Sequence, residues 1–570
     1  MSYLTIRSIA TAAVLALLGS ASSVFAAADH ILVNAKAYTL NETAPWAEAV
    51  AIEGDHIVYV GDNAGAIARA DADTLRHDLQ GQMLLPGFID AHMHPISGGG
   101  YAKALSLNTW GTVDEWIVSI EQYAVDNPGD GLLFGYGFLA TTFGPQGPTR
   151  QQIDAIVPDR PVLIMDEGFH GAWANTLALE ALGIDQDTAD PAPGFSYYKR
   201  DESGYPTGYL LEGTANQAMD DLEAITLPVL IDGTEYVIDV LNSYGVTSIY
   251  DAGVMEGPQY INPILSELEN KAQLSVRIVG SHFAGGPDDT ENAVAAAIEQ
   301  GKRVKGERYH YNTLKIMLDG TVEGRTAAMF EDYQGEPGNQ GELVFSQDQT
   351  NTKVVGAAKA EIDVHIHGLG ERAVHVALNA IEAARKAHPD SETRYTICHV
   401  QLFTDEDLPR FAALDVIVQS TPLWASYDLY GKAFVSDDQF TRFWRFRSLQ
   451  QAGVTLTWGS DYPASGAGLL GMSPVVQMQI GMTRQNLNSP DGPIQPPASE
   501  RLELPELIRG YTLSAAHQLH MEDRIGSLEV GKKADLVVLE KNLFDVPTQN
   551  IHEVQVTRTF VDGELVFMRE

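Results

Sequence analysis

The sequence predicts an α/β protein with three parts: a barrel of eight parallel strands, a small β domain drawn from both chain ends, and a long insertion after the first barrel strand. Three observations lead there. Short apolar runs separated by helical patterns recur through the middle of the chain, the signature of a parallel sheet. The two ends carry similar strand-and-turn patterns. The stretch 96–245 is far too long for a single helical crossover.

With 570 residues, the chain is long enough to bury a large core and form more than one domain. Its first part, 1–28, reads as a secretory signal peptide: Arg7, an apolar stretch over 9–18, then Val24-Phe25-Ala26-Ala27-Ala28 with its A-x-A-like site. The apolar stretch is short for a membrane span, so no stable membrane anchor is expected, although an uncleaved anchor stays open. The sole cysteine, Cys398, excludes an intrachain disulfide. Export without disulfides suits a bacterial periplasm, and the expected location is periplasmic or secreted. A net charge of −39 argues against nucleic-acid or anionic-membrane partners, which need clustered Lys and Arg. A small molecule is the expected partner, and a homodimer is left open.

The N-terminal part of the β domain is placed at 29–84, with strands expected over 31–33, 49–52 and 56–60 between turn residues. The C-terminal part is placed at 525–570, with strands over 534–539 and 563–567. The barrel region, 85–524, contains eight runs that read as strands: 87–92, 246–250, 274–279, 314–318, 362–367, 395–399, 416–420 and 454–458. Eight parallel strands close into a barrel whose active site lies at the strand C-termini. A doubly wound open sheet is the alternative.

The candidate site begins in Leu84-Leu85-Pro86-Gly87-Phe88-Ile89-Asp90-Ala91-His92-Met93-His94-Pro95. On a strand, side chains alternate faces, so His92 and His94 point the same way and can share a divalent metal. His367, His399 and Asp461 fall at or near the ends of later strands, and Lys315 lies in the fourth. Imidazoles and carboxylates suit Zn, with Mn, Fe or Co as alternatives, and leave room for water and substrate. One or two ions are expected. A pair about 3.5–4 Å apart needs a bridging anion. An ammonium cannot bridge, whereas a Lys315 carbamylated by carbon dioxide can. A salt bridge from Lys315 to Asp319 is the competing reading.

These segments resemble the amidohydrolase superfamily, in particular its YtcJ-like branch, amidohydrolase family 3, which includes N-substituted formamide deformylases. The matching segments are 85–94, Gly245-Val246-Thr247-Ser248-Ile249-Tyr250-Asp251-Ala252-Gly253, Lys315 through Gly320 with Gly324-Arg325-Thr326-Ala327, His367-Gly368-Leu369-Gly370-Glu371-Arg372-Ala373, and Gly459-Ser460-Asp461-Tyr462-Pro463. Tyr511-Thr512-Leu513-Ser514-Ala515-Ala516 and Gly531-Lys532-Lys533-Ala534-Asp535-Leu536-Val537-Val538-Leu539 follow in the same order. The resemblance implies a distorted TIM (β/α)8 barrel, a β-sandwich from both termini, and a one- or two-metal centre. It assigns His92 and His94 to one metal, His367 and His399 to another, a carboxylated Lys315 between them, and Asp461 as ligand and proton carrier. His365 shares the parity of His367 and is expected behind the metal ligands, with an exchange of roles left open. Glu371 and the Leu423-Trp424 pair depart from the family pattern, so relatives' substrates do not transfer.

Three further readings concern substrate. His170-Gly171-Ala172-Trp173-Ala174-Asn175 is similar to the family's His-x-x-Trp-x-Asn segment. That makes His170 a candidate donor to a carbonyl or oxyanion, and Trp173 a candidate apolar wall. Packing of the insertion onto the barrel is the alternative. Arg325 is a candidate partner for a substrate carboxylate, against a structural ion pair, and Trp424 borders the expected substrate site. Cys398 has the opposite parity to its neighbour and is expected to face the helices as an inert thiol. The expected function is metal-dependent hydrolysis of an amide- or formamide-type C–N bond, with Asp461 shuttling the proton. Ester, lactone or ring-deamination chemistry, or a periplasmic metal- or ligand-binding protein without turnover, are the alternatives.

Overall fold

The computed structural model describes residues 27–570, apart from 109–110, 145, 168–170, 192–195, 255–256, 287–291, 488 and 490. The expected signal segment therefore lies almost wholly outside the described residues. No described helix is long and apolar enough to cross a membrane.

Eight parallel strands form the centre: β1 (Phe88–Met93), β2 (Val246–Asp251), β3 (Arg277–Ala284), β4 (Tyr309–Met317), β5 (Asp363–Gly368), β6 (Tyr395–His399), β7 (Val416–Ser420) and β8 (Thr455–Trp458). Their order in the sheet is their order in the chain. Every residue of β1, β2, β6 and β7 is buried, as expected for strands covered on both faces. β4 starts earlier than the apolar run predicts, because Tyr309, His310, Tyr311 and Asn312 alternate buried and exposed and break the continuous apolar pattern.

The sheet is a nearly closed barrel rather than an open doubly wound sheet. β1 and β8 share no ladder, and other bonds bridge their gap. The Asp461 N–H donates to the His92 carbonyl at 2.8 Å, and the Ser460 N–H donates to Asp90 Oδ1 at 3.0 Å. Gln518, at the end of helix Leu513–Gln518, donates to the Ala91 carbonyl at 2.9 Å and accepts from Thr457 Oγ1 at 2.6 Å, tying both strands to one side chain. Gly459 is required at this seam, since a Cβ there would lie 2.4 Å from the His92 nitrogen.

The chain ends build two further sheets. One has four strands in the order His56–Gly61, Ala49–Glu53, His30–Val33 and Leu75–Asp78. The other has six, in the order Glu564–Met568, Val556–Val561, Leu536–Leu539, Met83–Pro86, Lys36–Tyr38 and Trp46–Ala47. Leu32, Val50 and Ile52 of the first pack with Leu84, Leu536, Val538 and Phe560 of the second, so both termini share one apolar core. Buried Arg277 of β3 reaches out of the barrel to pair with Asp535 and Asp562 of the C-terminal segment.

Between β1 and β2 the chain forms a six-stranded mixed sheet within 105–211. Its core joins Trp116, Phe138 and Trp173. This corrects the expected role of Trp173. The residue is 0% exposed, and its Nε1 donates to the Thr149 carbonyl at 2.8 Å, because strand alternation turns it onto the helix-covered face of this sheet. It walls no substrate site.

Candidate metal centre

At the C-terminal end of the barrel, six polar side chains converge from strands β1, β4, β5 and β6 and the turn after β8. The His92 Nδ1 lies 2.9 Å from His365 Nε2, which leaves its Nε2 facing Asp461 Oδ1 at 3.4 Å. The His94 Nδ1 lies 2.7 Å from the Gly253 carbonyl. A carbonyl only accepts, so Nδ1 carries a proton, and Nε2 faces Asp461 Oδ1, also at 3.4 Å. Parallel register sets Lys315 beside His365 and Met317 beside His367, aligning β4 with β5 at the site.

The ring of His367 meets that of His399 edge-on, with centroids 4.5 Å apart. The His399 Nδ1 lies 3.9 Å from Asp461 Oδ2. That nitrogen is buried without a hydrogen-bond partner, an arrangement that costs stability unless something else satisfies it. His399 and Asp461 both adopt positive φ, at 73° and 52°, a conformation that non-glycine residues hold only where the surroundings enforce it.

Register pairs Cys398 with His367, so the thiol points into the site instead of toward the helices, with Lys315 Nζ 3.0 Å from its Sγ, and the positive φ falls on His399, the residue that departs from alternation. The same Nζ lies 3.5 Å from His92 Nε2, and among the described residues Lys315 makes no ion pair with a carboxylate. The competing Lys315–Asp319 salt bridge is absent because Asp319 accepts instead from the N–H groups of Ala328, Leu369 and Gly370. His365 lies behind His92, stacked on Tyr250 with centroids 4.5 Å apart.

The donor set fits a divalent ion. Donor atoms of His92, His94 and Asp461 lie within 4.8 Å of one another, as do those of His92, Cys398 and His399. Nitrogen, oxygen and sulfur donors in this mixture suit first-row divalent metals. The electrostatics agree. Burial, reinforced by the Lys315 charge, holds His92, His365 and His367 below the ordinary histidine value, His367 at about 3, so they stay neutral. His399 is lowered too, by burial and then by His367. Burial disfavours charge on both Asp461 and His94, yet their mutual hydrogen bond outweighs it, so Asp461 is lowered and His94 raised. Burial raises the Cys398 thiol to about 11.

The other candidates separate clearly. Trp424 stands beside the site, its ring centroid 5.5 Å from that of His399 and its Nε1 donating to the Ser465 carbonyl at 3.1 Å. Arg325 instead pairs with Glu336 at 2.6 Å and lies over the Phe434 ring, which favours the structural ion pair. His170 falls outside the described residues. Sequence reasoning missed Cys398 as a site-facing group and missed Gln401, two residues beyond His399, whose Nε2 donates to Glu323 Oε1 at 3.0 Å.

Residues 77–567 match the amidohydrolase family. The exoenzymes regulatory protein AepA of Pectobacterium carotovorum subsp. carotovorum is 31% identical, covering 70% of this chain and 86% of that protein. The N-substituted formamide deformylase of Arthrobacter pascens is 27% identical, covering 95% of this chain and 98% of that protein. Among solved structures, an uncharacterized metal-dependent hydrolase from Pyrococcus furiosus superposes with a TM-score of 0.71 at 24% identity, covering 90% of this chain and 99% of that one, a likeness of fold.

Proposed function

The chain belongs to the amidohydrolase family, and from that premise we propose that it hydrolyses an amide- or formamide-type C–N bond of a small molecule at a divalent metal centre. One observation carries the reading: a single buried carboxylate, Asp461, faces the open nitrogens of His92 and His94 with one oxygen and that of His399 with the other. The deformylase name of the Arthrobacter relative supports the bond class.

His92, His94, His367, His399 and Asp461 would hold the metal. When bound, a divalent ion there supplies Lewis acidity, polarising a carbonyl and acidifying water. The protein's own groups do the rest. Asp461 stays ionised and accepts the proton of the attacking water, then returns it to the departing amine. His365 and the Gly253 carbonyl hold His92 and His94 in fixed orientations. Trp424 covers the His399 side and limits access of bulk water.

Lys315 completes the proposal. A buried ammonium with no carboxylate partner is costly. Loss of one proton from the ammonium gives the neutral amine, whose reaction with carbon dioxide forms an N–C bond and releases a second proton, leaving a carbamate anion. Intact mass measured with and without bicarbonate tests this, and an unmodified Lys315 in fully loaded enzyme would refute it. We also propose export after removal of 1–28, which N-terminal sequencing of the mature protein checks.

The main test pairs metal analysis with a substrate panel of formamides, N-acyl amino acids, lactones and cyclic ureas. Hydrolysis confined to the C–N substrates and abolished by chelation is expected. Exclusive ester or lactone cleavage, or no turnover by metal-loaded protein, would overturn the reading.

A further inference from the structure

Strand β6 ends in two consecutive residues that both face the barrel mouth. Register pairs Cys398 with His367, and the left-handed torsion of His399, φ 73°, brings its imidazole edge-on against the His367 ring. Consecutive side chains on a regular strand face opposite ways, so the pair shares one side only because the backbone departs from the regular form there. Cys398 is wholly buried, and His399 is 2% exposed. His399 Nδ1 has no hydrogen-bond partner among the described residues, and it is turned into the site, 3.9 Å from Asp461 Oδ2. Donor atoms of His92, Cys398 and His399 all lie within 4.8 Å of one another, a spread that one ion draws in with small shifts. With its Nδ1 engaged by His365, His92 offers its Nε2 to this group.

We infer that Cys398 is itself a metal ligand, so that the ion is held by sulfur together with the nitrogens of His399 and His92. This deepens the metal-centre reading and rests on it. An orphaned imidazole nitrogen and a thiol side by side, both shut off from water, complement a divalent ion that takes the nitrogen lone pair and the sulfur together. Ligation breaks the S–H bond: its electron pair goes to the ion, and the proton leaves to solvent. Lys315 is compatible with a bound sulfur in either of its states. As an ammonium its Nζ, 3.0 Å from Sγ, has hydrogens to donate, and as a carbamate it retains one. A sulfur ligand also sets selectivity, because thiolate favours zinc over manganese or magnesium, which prefer oxygen donors.

The test is X-ray absorption at the zinc edge of Zn²⁺-loaded full-length protein, which reads the ligands whether or not any substrate is turned over. Wild type is expected to show a sulfur neighbour at about 2.3 Å beside nitrogen and oxygen neighbours at about 2.0–2.2 Å. Cys398 is the sole cysteine, so a thiolate at that distance has no other source in the chain. Cys398→Ser should lose the sulfur neighbour and bind Zn²⁺ at least roughly tenfold more weakly, with Mn²⁺ affinity little changed. The wild-type spectrum decides the matter even where the variant fails to fold. Zinc-loaded wild type with nitrogen and oxygen neighbours alone overturns sulfur ligation and leaves the metal centre standing. Protein that takes up no divalent ion overturns the metal centre and the ligand with it. A sulfur neighbour in loaded protein that hydrolyses none of the C–N panel sinks the hydrolase reading and leaves Cys398 a ligand.

Discussion

Arg277, at the seam between barrel and terminal sheets, and Lys315, at the barrel mouth, are both buried cations, but their surroundings differ. Arg277 lies between Asp535 and Asp562, and the resulting pairing offsets its desolvation so fully that its pKa is raised. Lys315 faces Cys398 and His92, neither of which carries a compensating negative charge in its ordinary state. A buried ion pair with every charge matched serves to join two parts of a chain. A buried ammonium whose charge reaches only the ionised Asp461 of the same site, without a direct ion pair among the described residues, is not tied into a structural pair, and such groups gather where chemistry needs them. The comparison teaches that charge compensation separates the two regions better than burial does.

The contrast breaks most readily at the mouth. Asp461→Asn is expected to lower turnover by roughly 10²–10⁴-fold, the usual worth of a general acid–base group, with metal content retained. Undiminished turnover in that variant would remove Asp461 from its role. Arg277→Met should do the opposite: it strands the buried Asp535 carboxylate, while half-buried Asp562 keeps Arg308 and Lys533, and costs about 3–5 kcal/mol in urea unfolding, while turnover per folded molecule stays unchanged. An unaltered unfolding midpoint would show that the seam is held by its apolar core alone. A smaller effect of reversed sign is expected for Lys315→Met in metal-depleted protein. Removing a buried charge that has no direct ion pair among the described residues should leave stability equal or higher by about 1–3 kcal/mol, and a loss of stability would mean that its attraction to Asp461 outweighs its desolvation.

The smallest effect concerns the terminal sheets. His77, 3.0 Å from His30, is held down to about 4, first by burial and then by the charges of His30 and Arg558. Its folded pKa is thus below the unfolded value of 6.5. A depressed histidine contributes stability that is present above pH 6.5 and is lost as pH falls through the window from 6.5 to 4. The thermal midpoint of wild type should therefore fall more steeply across that window than that of His77→Asn. Parallel slopes would assign the acid sensitivity to other groups.

Much of the barrel was legible because its strands are buried on both faces and read as short, largely apolar runs, as in 246–250 and 416–420. β4 was read short because its first residues alternate polar and apolar and expose one face. The pairing of His92 with His94 was legible from strand parity alone. Parity failed at Cys398, since register sets it beside His367 and turns the thiol inward, while His399 departs from alternation through a positive φ that nothing in the residue types announces. Trp173 was misread because a conspicuous aromatic beside a familiar motif fits a wall and a core equally well, and only its covering helices decide between them.

By itself, the sequence determined the strand order, the histidine parity and the family, because each is a local pattern or a matched segment. Tertiary structure alone decided which groups meet across the barrel mouth: Cys398 with Lys315, His365 behind His92, and Glu323 with Gln401 and Asp428. Those meetings join residues tens to hundreds of positions apart. Their geometry depends on closure at Gly459 and Gln518 and on backbone torsions that packing imposes, none of which a linear pattern records.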